Sequence, residues 1–172
     1  MLTLEITMSR RNFLNLLSSL GFGGAAAAAA GGVSAASTPT RADRVELPNA
    51  EWKKRLSDNA YRVLRHEGTE APDTSPLNNE KRAGHFHCAG CDLPLFSSSA
   101  KYDSGTGWPS FFAALPDAVG TRTDYKLILP RTEYHCARCG GHQGHVFNDG
   151  PRPSGKRYCN NGVALRFAPE AA

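Results

Sequence analysis

Five cysteines occur in the 172-residue chain, and four of them form two pairs, Cys88-Ala-Gly-Cys91 and Cys136-Ala-Arg-Cys139, separated by 44 residues. Two thiolates from each of two tight turns suit a tetrahedral ion, and the spacing points to one structural Zn2+ per chain. His85, His87 and His135 flank the pairs, but four thiolates already complete a tetrahedron, so these histidines are read as bystanders. The rival use of Cys-x-x-Cys is dithiol redox chemistry, which normally opens a helix in a βαβ setting. Ala89-Gly90 and Ala137-Arg138 sit in strand-and-turn sequence instead. Cys159 is left without a partner. A lone cysteine is often a small buried hydrophobe. Beside Arg157 and downstream of His142 and His145, it also has the positive neighbours that make a thiolate nucleophile. Histidine exchanges a proton near neutral pH, which makes His142 and His145 candidate acids.

Four further stretches bear on these two possibilities. They are Asp103-Ser-Gly-Thr-Gly-Trp-Pro-Ser-Phe111, Arg131-Thr-Glu133, Gly144-His-Val-Phe-Asn-Asp-Gly-Pro151 and Arg157-Tyr-Cys-Asn-Asn161. In this order, over roughly residues 50 to 169, the chain resembles the B-type methionine-R-sulfoxide reductases. The resemblance implies a mainly β, α+β domain of two antiparallel sheets with short N-terminal helices, pinned at one end by zinc. It implies that Cys159 attacks the sulfur of methionine-R-sulfoxide and becomes a sulfenic acid, with His145 protonating the oxygen and His142 alongside. Asp149 and Asn161 would orient the site, although Asn148-Asp-Gly-Pro also reads as a plain turn. Trp108 and Phe147 would form the wall for the substrate methyl, a contact of roughly 0.3–1.5 kcal/mol for sulfur against an aromatic ring. Gly107 and Pro109 place Trp108 on a tight turn, which favours an exposed indole over a core one.

The chain departs from the family pattern at one position. Many members carry a recycling cysteine where this chain has Thr106. With four cysteines committed to zinc, the sulfenic acid has no internal thiol to meet. An external reductant, thioredoxin-like or a small thiol, is then expected, with oxidised proteins bearing methionine-R-sulfoxide as substrates. Two other classes fit the sequence less well. A zinc-stabilised binding module gives no reason to keep Cys159, His145, Trp108 and Asn161 together. A thiol–disulfide oxidoreductase would need redox-active knuckles.

Composition narrows the class further. The net charge of +4 comes from scattered Lys and Arg with no block of five or six, so nucleic acid is not an expected partner. Seventeen glycines and eleven prolines point to short elements joined by turns. A monomer is expected. Residues 1–36 read as an export signal: Ser9-Arg-Arg-Asn-Phe-Leu14, a weakly apolar stretch, then small residues near Ala35-Ala36. Five glycines between Gly21 and Gly32 and six consecutive alanines make a poor membrane anchor. A cleaved twin-arginine precursor bound for the periplasm is expected, with its start at Met1 or Met8. Residues 37–49 read as a linker and 50–170 as the catalytic domain.

Within that domain, Trp52, Leu56, Ala60, Val63 and Leu64 recur at helical spacing. Asn49 is the expected cap of the first helix, Ser57 of the second, and Gly68 the stop. Alternation of Tyr125, Leu127 and Leu129 with Lys126 and Ile128 predicts a strand, as does that of Val163, Leu165 and Phe167 with Ala164, Arg166 and Ala168.

Overall fold

The computed structural model describes residues 41–171; the export signal read over 1–36 and the start of the linker lie outside the described residues. Two short helices open the fold, α1 (Asn49–Arg55) and α2 (Asp58–His66). The break falls where the sequence places it, because the Ser57 hydroxyl accepts a hydrogen bond from the Ala60 N–H at 3.3 Å and caps α2. Asn49 does not cap α1: Pro48 holds the cap position and Asn49 is the first helical residue. At the end of α2 the left-handed residue is Glu67, with φ of 53°, and Gly68 follows it. Trp52, Val63 and Leu64 are buried against the core.

Nine antiparallel strands follow. In chain order they are β1 (Gly84–Cys88), β2 (Pro94–Ser97), β3 (Lys101–Tyr102), β4 (Ser110–Phe111) and β5 (Val119–Asp124). The remaining four are β6 (Arg131–Cys136), β7 (His142–Phe147), β8 (Arg157–Asn160) and β9 (Leu165–Pro169). They form a three-stranded sheet ordered β2-β1-β9 and a six-stranded sheet ordered β3-β4-β8-β7-β6-β5. This is the two-sheet, mainly β architecture that the sequence implies.

The core is aromatic and lies between the sheets. Phe86 and Phe96 of the small sheet meet Phe111, Tyr134 and Tyr158 of the large one. Phe96 stacks on Phe111 with ring centres 4.2 Å apart, and Tyr134 meets Tyr158 edge-on at 5.2 Å. Side chains alternate across a strand, so one face of the large sheet fills this core and the other is free for chemistry.

One expected strand is absent. Tyr125 to Pro130 is the loop of the β5–β6 hairpin, and Tyr125, Leu127, Ile128 and Leu129 are all exposed. Their apolar alternation has no core beneath it. The real strand before it, β5, is polar and half exposed, which is why periodicity missed it. Of the second alternating run, Leu165 to Pro169 forms β9, while Gly162 to Ala164 is a 3-10 turn. The segment read as linker is docked from Arg41 onward. The Val45 N–H donates to the Arg138 carbonyl at 2.9 Å, and Arg138 pairs with Asp43 at 2.8 Å.

Candidate active site

The register of β4, β8 and β7 builds the site. Cys159 on β8 lies directly opposite Ser110 on β4 and His145 on β7. Residues directly opposite share a face with Cβ atoms about 5 Å apart, so the candidate nucleophile and the candidate acid are cross-strand neighbours. They open into a cavity of about 140 Å³ that Trp108, Phe147 and Arg131 also line, with Thr69, Gly144, Asn160 and Asn161 completing it. Strands and turns distant in sequence therefore converge on one thiol.

Trp108 is held rather than free. Its indole N–H donates to the Glu70 carbonyl at 3.2 Å, and Gly107 ahead of it has φ of 87°. A side chain at Gly107 would meet Pro72 at 2.7 Å, so glycine is required there on both counts. Phe147 forms the other aromatic wall, and the Arg157 guanidinium lies 4.4 Å over its ring.

Burial pushes the Cys159 thiol above its ordinary value, partly offset by the Arg157 charge and a hydrogen bond from Thr106. Thr106 thus stands against the thiol. Its hydroxyl is in turn 2.8 Å from that of Ser104, which is 2.7 Å from that of Ser110. Burial pushes the His145 imidazole below its ordinary value, opposed by Asp124. Asp124 Oδ2 sits 2.7 Å from His145 Nε2 and 2.7 Å from Arg131. The Lys126 backbone N–H, then His145 and Arg131, hold the Asp124 carboxyl well below the usual carboxylate range. An ionised Asp124 fixes Nε2 of a neutral His145 as the protonated nitrogen.

The structure separates the other predicted residues. His142 is fully buried behind the cavity and does not line it. Its Nδ1 is 2.8 Å from Glu133, and its Nε2 has no hydrogen-bond partner among the described residues. Its ring centre is 5.5 Å from that of His145. Asp149 is exposed and outside the cavity, paired to Arg157 through two bonds of 2.9 and 2.8 Å. It holds Arg157 over Phe147. Asn161 is buried at the cavity wall. Its amide donates to the Gln143 carbonyl and its oxygen accepts from the Glu70 N–H, both at 2.9 Å. That clamps the segment carrying Thr69 and Glu70 onto β7.

Sequence reasoning passed over Asp124, Arg131 and Glu133. Arg131 and Glu133 stand in a motif noted for its resemblance, but Asp124 carries no local signal. Burial works to raise the Glu133 carboxyl, but bonds from His135 and His142 and the Arg122 charge outweigh it and hold it at about 2. His135 is therefore a ligand of Glu133 and no part of the thiol cluster.

The four knuckle sulfurs lie within 4.8 Å of one another, with Cys88 and Cys139 at 3.7 Å and Cys91 and Cys136 at 3.5 Å. Hydrogen bonds from the neighbouring thiols hold Cys136 far below the thiol range. Four convergent sulfurs with a stabilised thiolate fit a thiophilic metal ion.

The SelR domain family matches residues 56–169. The chain is 52% identical over 127 residues to the peptide methionine sulfoxide reductase MsrB of Pseudomonas putida, covering 73% of this chain and 96% of that one. It is 51% identical over 123 residues to the protein of the same name from Thiobacillus denitrificans, covering 71% and 93%. With the chloroplastic peptide methionine sulfoxide reductase B1 of Oryza sativa it shares 50% identity over 122 residues, 70% of this chain and 57% of that longer protein. With the site geometry, these matches show that the chain belongs to the B-type methionine-R-sulfoxide reductases, oxidoreductases that act on sulfur groups.

Proposed function

We propose that the protein reduces the R epimer of methionine sulfoxide in polypeptides, with Cys159 as nucleophile and His145 as acid. The observation that carries this is the placement of His145 directly opposite Cys159, both lining a cavity with aromatic walls. The Cys159 thiolate attacks the sulfoxide sulfur while His145 gives a proton to the oxygen. The oxygen passes to Cys159, which becomes a sulfenic acid, and methionine is released; Cys159 sulfur is oxidised by two electrons and the substrate sulfur is reduced by two. Trp108 and Phe147 receive the S-methyl group. Asp124 and Arg131 set the orientation and charge of His145.

Recycling uses two external thiols. The first forms a mixed disulfide with Cys159 and releases water, and the second regenerates the thiol and leaves as a disulfide. Thr106 supplies no sulfur, so no internal bridge competes. We assign zinc to Cys88, Cys91, Cys136 and Cys139, where it would tie the two sheets together and take no part in sulfur chemistry. Export of the folded, metal-loaded protein by the twin-arginine route to the periplasm fits Arg10-Arg11, because thiolates already bound to metal resist oxidation there.

The test is turnover of each separated methionine sulfoxide epimer with dithiothreitol. The wild type should consume the R epimer only, and Cys159→Ser should lose all turnover while keeping its fold. Activity of Cys159→Ser within tenfold of wild type, or consumption of the S epimer alone, would overturn the assignment.

A further inference from the structure

Large apolar side chains are buried or partly buried among the described residues, with four exceptions. Tyr125, Leu127, Ile128 and Leu129 are exposed by 75%, 57%, 102% and 76%, and all four sit in the six-residue loop at the tip of the β5–β6 hairpin. Exposed apolar surface gathered in one place is unusual on a solvated domain and marks contact with something apolar.

The tip belongs to the catalytic rim by construction. Its two stem residues, Asp124 and Arg131, face each other in the hairpin register and are bonded at 2.7 Å. Asp124 also bonds His145, and Arg131 lines the cavity. The base is firm, since the Lys126 N–H donates to Asp124 at 2.9 Å and the Lys126 ammonium pairs with Glu67. The one charge on the tip is thus already engaged, leaving no free charge to attract an acidic or basic partner.

The cavity itself decides what the tip would meet. At about 140 Å³ it is well below the roughly 300–1,000 Å³ of sites that enclose a drug-sized ligand. It has room for one side chain. The residues on either side of an oxidised methionine must therefore lie outside, along the rim from which the tip rises.

We propose that Leu127, Ile128 and Leu129 form a docking surface for an extended polypeptide segment whose apolar residues flank the oxidised methionine. This rests on the function proposed above and adds a preference for sequence context. Such segments are buried in most folded proteins, so the surface selects chains that are locally opened.

The experiment compares wild type with the triple variant Leu127→Ser, Ile128→Ser, Leu129→Ser, using dithiothreitol so that no protein reductant is involved. Three substrates are used: N-acetyl-methionine-R-sulfoxide, a peptide with the sulfoxide between Leu and Val residues, and one with it between Ser and Gly residues. Wild type should favour the Leu/Val peptide over the Ser/Gly peptide by about tenfold in kcat/KM, equivalent to about 1.4 kcal/mol. The variant should lose that preference and stay within twofold of wild type on the small substrate. Equal losses on all three substrates would make the loop part of the reaction centre and overturn the proposal, as would an unchanged peptide preference. A wild-type dimer in sedimentation that the variant abolishes would assign the tip to a second copy, and co-sedimentation with phosphatidylglycerol–phosphatidylethanolamine vesicles would assign it to lipid. Either overturns the proposal. No turnover of the small substrate by wild type would instead remove the catalytic assignment, and the docking surface with it.

Discussion

Two ionisable groups, Cys159 and His145, are pushed in opposite directions by the same cause. Burial disfavours charge, raising the thiol and lowering the imidazole. In the mechanism proposed above, the reactive form needs one proton across the pair, as thiolate plus imidazolium. It is lost at low pH when both are protonated and at high pH when neither is. With ordinary values of 6.5 and 9.0 moved outward, kcat/KM should rise through a pKa below 6.5 and fall through one above 9.0. Arg157→Ala removes a charge that favours the thiolate, so the alkaline limb should move further up; a pH–rate profile that leaves it in place would contradict this. The Thr106 hydroxyl stands against the thiol, so Thr106→Cys should capture the sulfenic acid as a bridge to Cys159, which needs α-carbons within about 7 Å. Intact mass after one turnover without reductant should show wild type gaining one oxygen and the variant losing two hydrogens. Loss of two hydrogens by wild type would make a knuckle cysteine the resolving thiol.

At the scale of strands, the site depends on an irregularity. His142 and His145 are three residues apart, which in regular alternation would put them on opposite faces. The pairing shifts between Tyr134 and His135, so that His135 faces His142 while Tyr134 faces Gly144. The extra residue on β7, Gln143, turns His142 to the side of Glu133. Close approach of β7 to β8 needs Gly144, where a methyl group would overlap the Cys159 carbonyl oxygen. Gly144→Ala should therefore cost about 3 kcal/mol or more, read as a lowered urea midpoint, and an unchanged midpoint would show that the strands can part. These features mark the limit of what the sequence showed. The knuckles, the helix break at Ser57 and the motifs around Trp108, His145 and Cys159 were legible because each depends on residue type and local spacing. Asp124 was not, since its contact with His145 exists only through the register of the β5–β6 hairpin. Nor was the burial of His142, which follows from a one-residue bulge. The apolar alternation at Tyr125 to Leu129 misled because the same pattern arises in an exposed loop.

For the molecule as a whole, the thiol cluster joins the two sheets. Cys88 ends β1 in the small sheet and Cys136 ends β6 in the large one. Gln143 extends the connection toward the site: its amide donates to the Cys88 sulfur at 3.4 Å, and its side-chain oxygen accepts from Asn160, next to Cys159, also at 3.4 Å. Cys136→Ser should lose the metal and unfold, since a filled site supplies apparent folding free energy of roughly 10 kcal/mol or more. A stable, metal-free variant in a circular-dichroism melt would separate metal from fold.

The small cavity has a further consequence, in traffic. Cys159 lines it, and a cavity with room for one side chain cannot hold the methionine that would deliver oxygen and the thiol that would remove it at the same time. One has to leave before the other enters, so each excludes the other from the form of the enzyme it cannot use. Abundant oxidised polypeptide would then occupy the spent enzyme and delay its regeneration. The protein would repair fastest when damage is sparse and reductant plentiful.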